Sequence, residues 1–369
     1  MKKLISIVAV FMLLFSIVPY TTVNALTIKD EKTASLLKET LVGYFSNSLE
    51  QQKDLKVIKN EYILPNSELE TYNEIHSKIM VNWTKTAGQI KSYNVDININ
   101  SIENKDDSII VNVDNVVKFK YKGADVDSGL TENHIIYLRK ENNKLLVEKD
   151  INEIFEKAKD IEEKYNLEAS DEYLKYINQK IKNDTDKLKN LGKDIKELEN
   201  QIKTNKEKNE INQLALSSNK LAVSAVYDGN AAAQWALNNV YSSEDYSGQD
   251  CTNFVSKAIR NGGIPTDSKW YNGSLAWIQV TTFYSWATSS GRGTNYGANY
   301  SYAQKGDVIQ YYKPYYGTWT HSVIVTGRDN WSTIPYVSAH SNPQYNILAS
   351  YYYPNNSNIT NFRVIDIHM

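Results

Sequence analysis

Gln249-Asp250-Cys251-Thr252-Asn253-Phe254-Val255-Ser256 holds the single cysteine of a 369-residue chain and reads as a tight turn opening an amphipathic helix. Phe254, Val255, Ala258 and Ile259 follow the cysteine at three, four, seven and eight residues, so all five share one helical face. The thiol is therefore expected on the stripe that packs inward. As the first helical residue it also meets free backbone N–H groups and the positive end of the helix dipole. Both favour the thiolate and are expected to lower a pKa that is ordinarily about 8.5. A cysteine used only as a small buried hydrophobe fits the face but does not require the N-terminal position.

Two histidines follow at the spacing of a hairpin. His321 stands in Thr320-His321-Ser322-Val323-Ile324-Val325, in phase with Val323 and Val325. His340 stands in Ser338-Ala339-His340-Ser341-Asn342, in phase with Ser338 and Tyr336. Turn formers fill the segment from Gly327 to Thr333. A turn centred between Asn330 and Trp331 sets the imidazoles opposite each other on adjacent strands, with Cβ atoms about 5 Å apart.

The expected chemistry is that of a thiol nucleophile. Cys251 attacks, His321 serves as general base and then as acid to the leaving amine, and His340 orients His321. Asn342, on the same face as His340, competes for the orienting role. The Cys251 backbone N–H is the natural oxyanion donor, with Gln249 as an added side-chain candidate. Asp250 is assigned to capping the helix or hydrogen-bonding the loop, and not to catalysis.

These runs, with Gly306-Asp307-Val308-Ile309, Trp319-Thr320-His321 and the opening Tyr227-Asp228-Gly229-Asn230, resemble the putative amidase domain family of secreted bacterial proteins. That family is similar to the NlpC-like and CHAP-like branches of the papain-like cysteine hydrolases. The resemblance covers about residues 227–369. It implies a papain-like domain in which a cysteine-bearing helix packs on an antiparallel sheet bearing the histidine. It further implies hydrolysis of amide bonds in peptidoglycan peptide material, with Cys251 and His321 as the essential pair and His340 as third member. No cofactor is implied. A zinc site lacks a second His or Cys at ligand spacing, and Asp125-Val126-Asp127-Ser128-Gly129 lacks the ligand count of a calcium loop.

The rest of the chain frames this region. Met1-Lys2-Lys3, an apolar run from Leu4 to Val18 and Val23-Asn24-Ala25 read as a secretory signal peptide over residues 1–25. Export predicts an extracellular, cell-wall-associated protein. One cysteine excludes an internal disulfide framework, and a net charge of −2 without a basic run argues against nucleic-acid binding.

Residues 26–150 pair helical patterns with alternating runs at Tyr93, Ile109, Val116, His134 and Leu145, an α+β accessory domain with the element order of a cystatin-like cone. Residues 151–226 read as a stalk and linker. Leu174, Ile181, Leu188, Ile195 and Ile202 occupy one heptad seam and Ile177, Leu191 and Leu198 the other, with Asp184 and Asn205 interrupting the second. That pattern suggests a coiled coil and a homodimer contact over residues 171–212, against the alternative of a helix packed on its own chain. Seventeen of 27 tyrosines and six of seven tryptophans fall after residue 226. Such a surface suits stacking on sugars or peptides, although Trp277, Phe283 and Trp286 are read as core.

The chain as a whole is thus expected to be α+β. Two competing functions share these features. One is a non-catalytic wall-binding or adhesive module; the other is an acyl transferase using the same cysteine.

Overall fold

The computed structural model describes residues 31–105, 108–153, 157–216, 227–246, 250–313, 317–328, 334–355, 359 and 361–369. The signal-peptide reading, Gln249, the end of the linker and the turn at Asn330 and Trp331 lie outside these residues. No described helix is long and apolar enough to cross a membrane.

The N-terminal half opens with helices α1 (Glu31–Asp54) and α2 (Glu68–Ala87). Ser67 starts α2 with its hydroxyl accepting from Glu70 N–H, while Glu70 accepts from Asn66 N–H, a reciprocal cap close to the capping box. An antiparallel meander follows: β1 (Ile90–Lys105), β2 (Ser108–Tyr121), β3 (Ser128–Glu141) and β4 (Lys144–Ile151). The alternating runs at Ile109 and Val116 belong to one long strand, β2. Helices α3 (Ala158–Tyr165) and α4 (Ser170–Leu216) complete this half.

The C-terminal half holds α5 (Gly229–Asn239), α6 (Cys251–Asn261), α7 (Leu275–Ile278) and α8 (Val280–Ser289). Strands β5 (Gly293–Gly297), β6 (Val308–Lys313), β7 (Thr318–Gly327), β8 (Tyr336–Ala339) and β9 (Gln344–Leu348) follow. Helix α9 (Tyr352–Asn355) and strand β10 (Asn361–Ile367) end the chain. Mixed helix and antiparallel sheet make the protein α+β, as the sequence suggested.

The change in composition near Tyr227 does not mark a break in packing. Strands of both halves form one sheet in the order β1-β2-β3-β9-β8-β7-β6-β10-β5, with β4 on β3. The junction is short: Gly129 and Leu130 of β3 pair with Tyr345 and Gln344 of β9. One face of the C-terminal strands packs on α6 and the tryptophan-rich helices, through Val308, Ile324 and Ile365 against Phe254, Val255, Trp277 and Trp286. The other face, carrying Ile309, Tyr311, Val323 and Val325, shares a core with Trp83, Leu191 and Leu198 of the N-terminal half.

Helix α4 is continuous over its heptads, but its seam is spent inside the molecule. Leu191 and Leu198 are buried in the shared core, with Leu188, Ile195 and Ile202 against it, and Ile177 is buried in the N-terminal core. Asp184 explains its own intrusion into the seam: it is fully buried, with Oδ2 2.9 Å from His76 Nδ1 of α2. The alternative of a helix packed on its own chain therefore replaces the projecting coiled-coil stalk. From Ile177 to Ile202 the seam residues face the chain's own cores.

Candidate active site

Helix α6 begins at Cys251, and the spacing reading of its face is correct: Phe254, Val255, Ala258 and Ile259 are fully buried and Cys251 is 8% exposed. Burying three large apolar side chains contributes on the order of 1.5–3 kcal/mol each and seats the helix. A polar chain locks its first turn to β7. Thr252 Oγ1 and Gln310 Nε2 each lie 3.1 Å from Ser322 Oγ, and Arg363 Nε donates to Gln310 Oε1 at 2.9 Å. Ser322 also gives its backbone N–H to Cys251 Sγ.

That last bond places the sulfur. Strand β8 pairs with β7 from Ile324 to Gly327, so Ser322 lies beyond the paired stretch and its amide turns to the cysteine. His321 is the next residue along. Its side chain lies on the other face, opposite Tyr311, with its ring centroid 6.0 Å from that of Tyr352. Tyr352 is also near the sulfur: burial first, and the Cys251 charge second, push its hydroxyl pKa up. Cys251 and His321 thus flank one tyrosine and adjoin one peptide unit. The sulfur's hydrogen bonds run to Ser322 N–H and to Thr252, at 3.8 Å, and not to the imidazole.

The protonation states are those of a resting pair. Burial raises the Cys251 pKa, outweighing the Ser322 and Thr252 hydrogen bonds that lower it. The direction is opposite to the expected lowering, because loss of water at the buried helix start outweighs the hydrogen bonds there. Burial, reinforced by the Lys313 ammonium, holds His321 well below the ordinary imidazole value, so the ring is neutral. Lys313 is itself buried, with Glu153 of the N-terminal half 3.4 Å away.

The predicted meeting of His321 and His340 does not occur. Ile324 pairs with Ser338 and Val325 with Val337, one residue away from the expected frame, and a bulge follows. A one-residue slip turns every side chain to the other face. His340 instead begins the β8–β9 turn, where Ser341 and Asn342 take φ of 59° and 73°. It stacks on Phe254 at 4.2 Å, on the α6 side of the sheet. Its Nδ1 meets Asp250 Oδ2 at 2.7 Å and its Nε2 meets the Asn239 carbonyl at 3.0 Å. Both partners accept, so neither nitrogen is left to serve His321. Asn342 points the other way, its Nδ2 donating to the Glu153 carbonyl at 3.0 Å.

Of the two roles expected of Asp250, capping and bonding the loop, the structure shows the second. Its side chain makes no cap bond to its own helix; Oδ1 accepts from Tyr246 N–H and Asn253 Nδ2 while Oδ2 holds His340. Its N–H donates to Ser341 Oγ at 2.7 Å. Ser322, Lys313, Glu153 and Tyr352 were missed. Ser322 was legible as the neighbour of His321; the others depend on how the two halves meet.

Gly306-Asp307 is architectural. Gly306 has φ of 89°, and a Cβ there would stand 2.5 Å from Gly229 Cα. Asp307 accepts from Gln304 N–H and Ile367 N–H, closing the turn before β6. Among the described residues no group of His, Cys, Asp and Glu is arranged to hold a metal.

The chain is 32% identical over 131 residues to the uncharacterized protein YjcM of Bacillus subtilis (strain 168), across 32% of this chain and 31% of that protein. The chain thus matches about a third of the relative's length. No solved structure matches. Residues 219–364 match the family model described as the putative amidase domain, so this part of the chain is similar to that domain.

Proposed function

We propose that the protein is an exported, wall-associated thiol amidase that cleaves amide bonds in bacterial peptidoglycan peptides, with Cys251 as nucleophile and His321 as its base. One observation carries this reading. The cysteine opens α6, whose first turn is tied through Thr252 to Ser322, the residue after His321, inside the region that matches the amidase domain. A helix bearing the nucleophile against an antiparallel strand bearing the base supports a papain-like arrangement.

Neutral His321 takes the thiol proton as Sγ attacks the carbonyl carbon of the bound amide. The carbonyl oxygen, now an oxyanion, receives the Cys251 N–H, which has no intrahelical acceptor in the first turn. The imidazolium returns the proton to the amine as the C–N bond breaks and a thioester remains. Water, deprotonated by His321, then attacks the thioester, releases the carboxylate and restores the thiol. Ser322 N–H steadies the sulfur through each charge change. Contacts of this kind are long before substrate binds and tighten in the complex. The His340–Asp250 pair holds the cysteine loop and is a positioning pair.

Mass spectrometry of peptidoglycan fragments after incubation with the wild type and with Cys251→Ala tests the reading. New carboxyl and amine ends, one water heavier and absent with the variant, are expected. Products carrying an added amine would make the enzyme a transferase, and equal products from both chains would end the thiol mechanism.

A further inference from the structure

A second polar cavity lies in the N-terminal half, walled in part by Glu153 and Tyr351, which adjoin Lys313 and Tyr352 of the candidate site. A cavity of about 150 Å³ opens between α1, α2 and the meander. A single water needs roughly 10–15 Å³, so the space suits a small organic molecule. Its polar floor comes from three neighbouring positions on one sheet face: Asn115 of β2 opposite Glu132 of β3, and His134 two residues on. All line the cavity, and Asn115 and His134 are 4% and 3% exposed.

Two of these groups lack the partner that burial demands. His134 Nδ1 is 2.8 Å from Asp150 Oδ1, whose other oxygen takes the Tyr44 hydroxyl at 2.7 Å. His134 Nε2 has no hydrogen bond, and neither does Asn115 Oδ1. Glu132 Oε2 stands 4.0 Å from His134 Nε2, too far for a direct bond, while Oε1 receives the Tyr351 hydroxyl. Unpaired buried polar atoms are costly, so atoms aimed into a cavity of this size call for a guest.

The chemistry of the guest follows. Carboxylates on both sides of His134 favour hydrogen on both ring nitrogens, which makes Nε2 a donor. Burial pushes the His134 pKa down, but Asp150 and Glu132 outweigh it and the net shift is upward. Glu132 Oε2 and Asn115 Oδ1 are acceptors. The site therefore offers one donor and two acceptors around one space. The lining carboxylates Glu132, Asp150 and Glu153 stand among His134, Lys180 and, beside Glu153, Lys313, so a guest with net charge would bring an uncompensated charge out of water. A neutral primary carboxamide carries a carbonyl for His134 and two N–H groups for Glu132 and Asn115 on adjacent atoms. Phe45 and Phe119, also on the wall, suit its apolar remainder.

We propose that this cavity is a binding site for a small neutral carboxamide, held by His134, Glu132 and Asn115. The test titrates the full chain, as wild type and as Cys251→Ala, with propionamide, propionate and propylammonium. These are similar in size and differ in charge. The readouts are the thermal midpoint and the chemical shift of His134 Nε2. Propionamide should raise the midpoint saturably and move the His134 signal in both chains. Asn115→Leu, close in shape but without the acceptor, should bind about tenfold more weakly, the effect of one lost hydrogen bond. The same response in Asn115→Leu, a stronger response to either charged analogue, or no response to propionamide would overturn the proposal. Because Cys251→Ala is included, failure of the amidase reading leaves this result intact.

Discussion

Asp250 Oδ2 and His340 Nδ1 meet at 2.7 Å, and through them the residue before the nucleophile is fixed to the turn after β8. Both side chains are buried, and Phe254 of the cysteine helix stacks on the imidazole. Removing one partner of a buried pair costs about 3–5 kcal/mol. His340→Ala should therefore lower the unfolding free energy by about that amount in urea. It should also reduce turnover, because the loop before Cys251 loses its anchor. The limb of the pH–rate profile governed by His321 should stay where it is. A displaced limb would return His340 to direct service of the base.

The buried thiol gives a second expectation. Burial raises the Cys251 pKa, so in the folded protein it should react with iodoacetamide more slowly than free cysteine at pH 7. The rate should climb as pH passes the raised value. Mass spectrometry of the alkylated chain follows this directly, and rapid labelling at pH 7 would contradict the burial argument.

His321 makes stability depend on pH. Its folded pKa lies well below the ordinary imidazole value of about 6.5, so below that pH the unfolded chain binds a proton that the folded chain refuses. Stability is whole above about pH 6.5 and falls on acidification by up to about 1.4 kcal/mol per unit. His134 works in the opposite window: its raised pKa stabilises the fold below 6.5, and that contribution is lost as pH rises through the folded value. Urea melts between pH 5 and 6.5 should show a smaller acid loss for His321→Gln than for the wild type. An unchanged slope would mean that His321 is charged in the fold.

Much of this architecture was legible because it rests on local pattern. The stripe Phe254, Val255, Ala258 and Ile259 defines one face of α6 and put Cys251 at its start. The alternating runs after Tyr93 and His134 gave the meander, although two of them merged into β2. What failed was register. The frame of β7 on β8 is set by a bulge, and the midpoint of a seven-residue connection does not reveal it. The thiol shift failed for a different reason. A helix start advertises its dipole in sequence, but its burial depends on Tyr352 and on the neighbouring half, which no spacing discloses. Glu153 beside Lys313 and Asp184 beside His76 are likewise products of one half meeting another surface.

The covered seam of α4 leads to a fourth expectation. Leu191 and Leu198 are 5% and 3% exposed within a single chain. Leu198→Ala should lower stability by about 2–5 kcal/mol, the usual result of a core truncation, and leave the sedimentation coefficient unchanged. A coiled-coil dimer would respond differently, with dissociation as the first effect. Sedimentation velocity beside urea melts of the same variant separates the two.

The junction between the halves makes them unfold together. Trp83 of α2 stacks on Tyr353 with ring centroids 4.3 Å apart and donates its indole N–H to the Ser350 carbonyl at 3.0 Å. Lys187 of α4 donates to the Tyr353 carbonyl, and the Tyr353 hydroxyl reaches Asp194. Ser128 Oγ donates to the Asn346 carbonyl at 2.8 Å, beside the β3–β9 pairing. One core and the sheet cross the boundary, beside the core that each half holds of its own. Urea unfolding followed by tryptophan fluorescence, which reports mainly on the C-terminal half, should coincide with far-ultraviolet circular dichroism, which reports on both. Trp83→Ala should move both curves together by about 3–5 kcal/mol. Separation of the two curves in the wild type would show that the halves hold their folds independently.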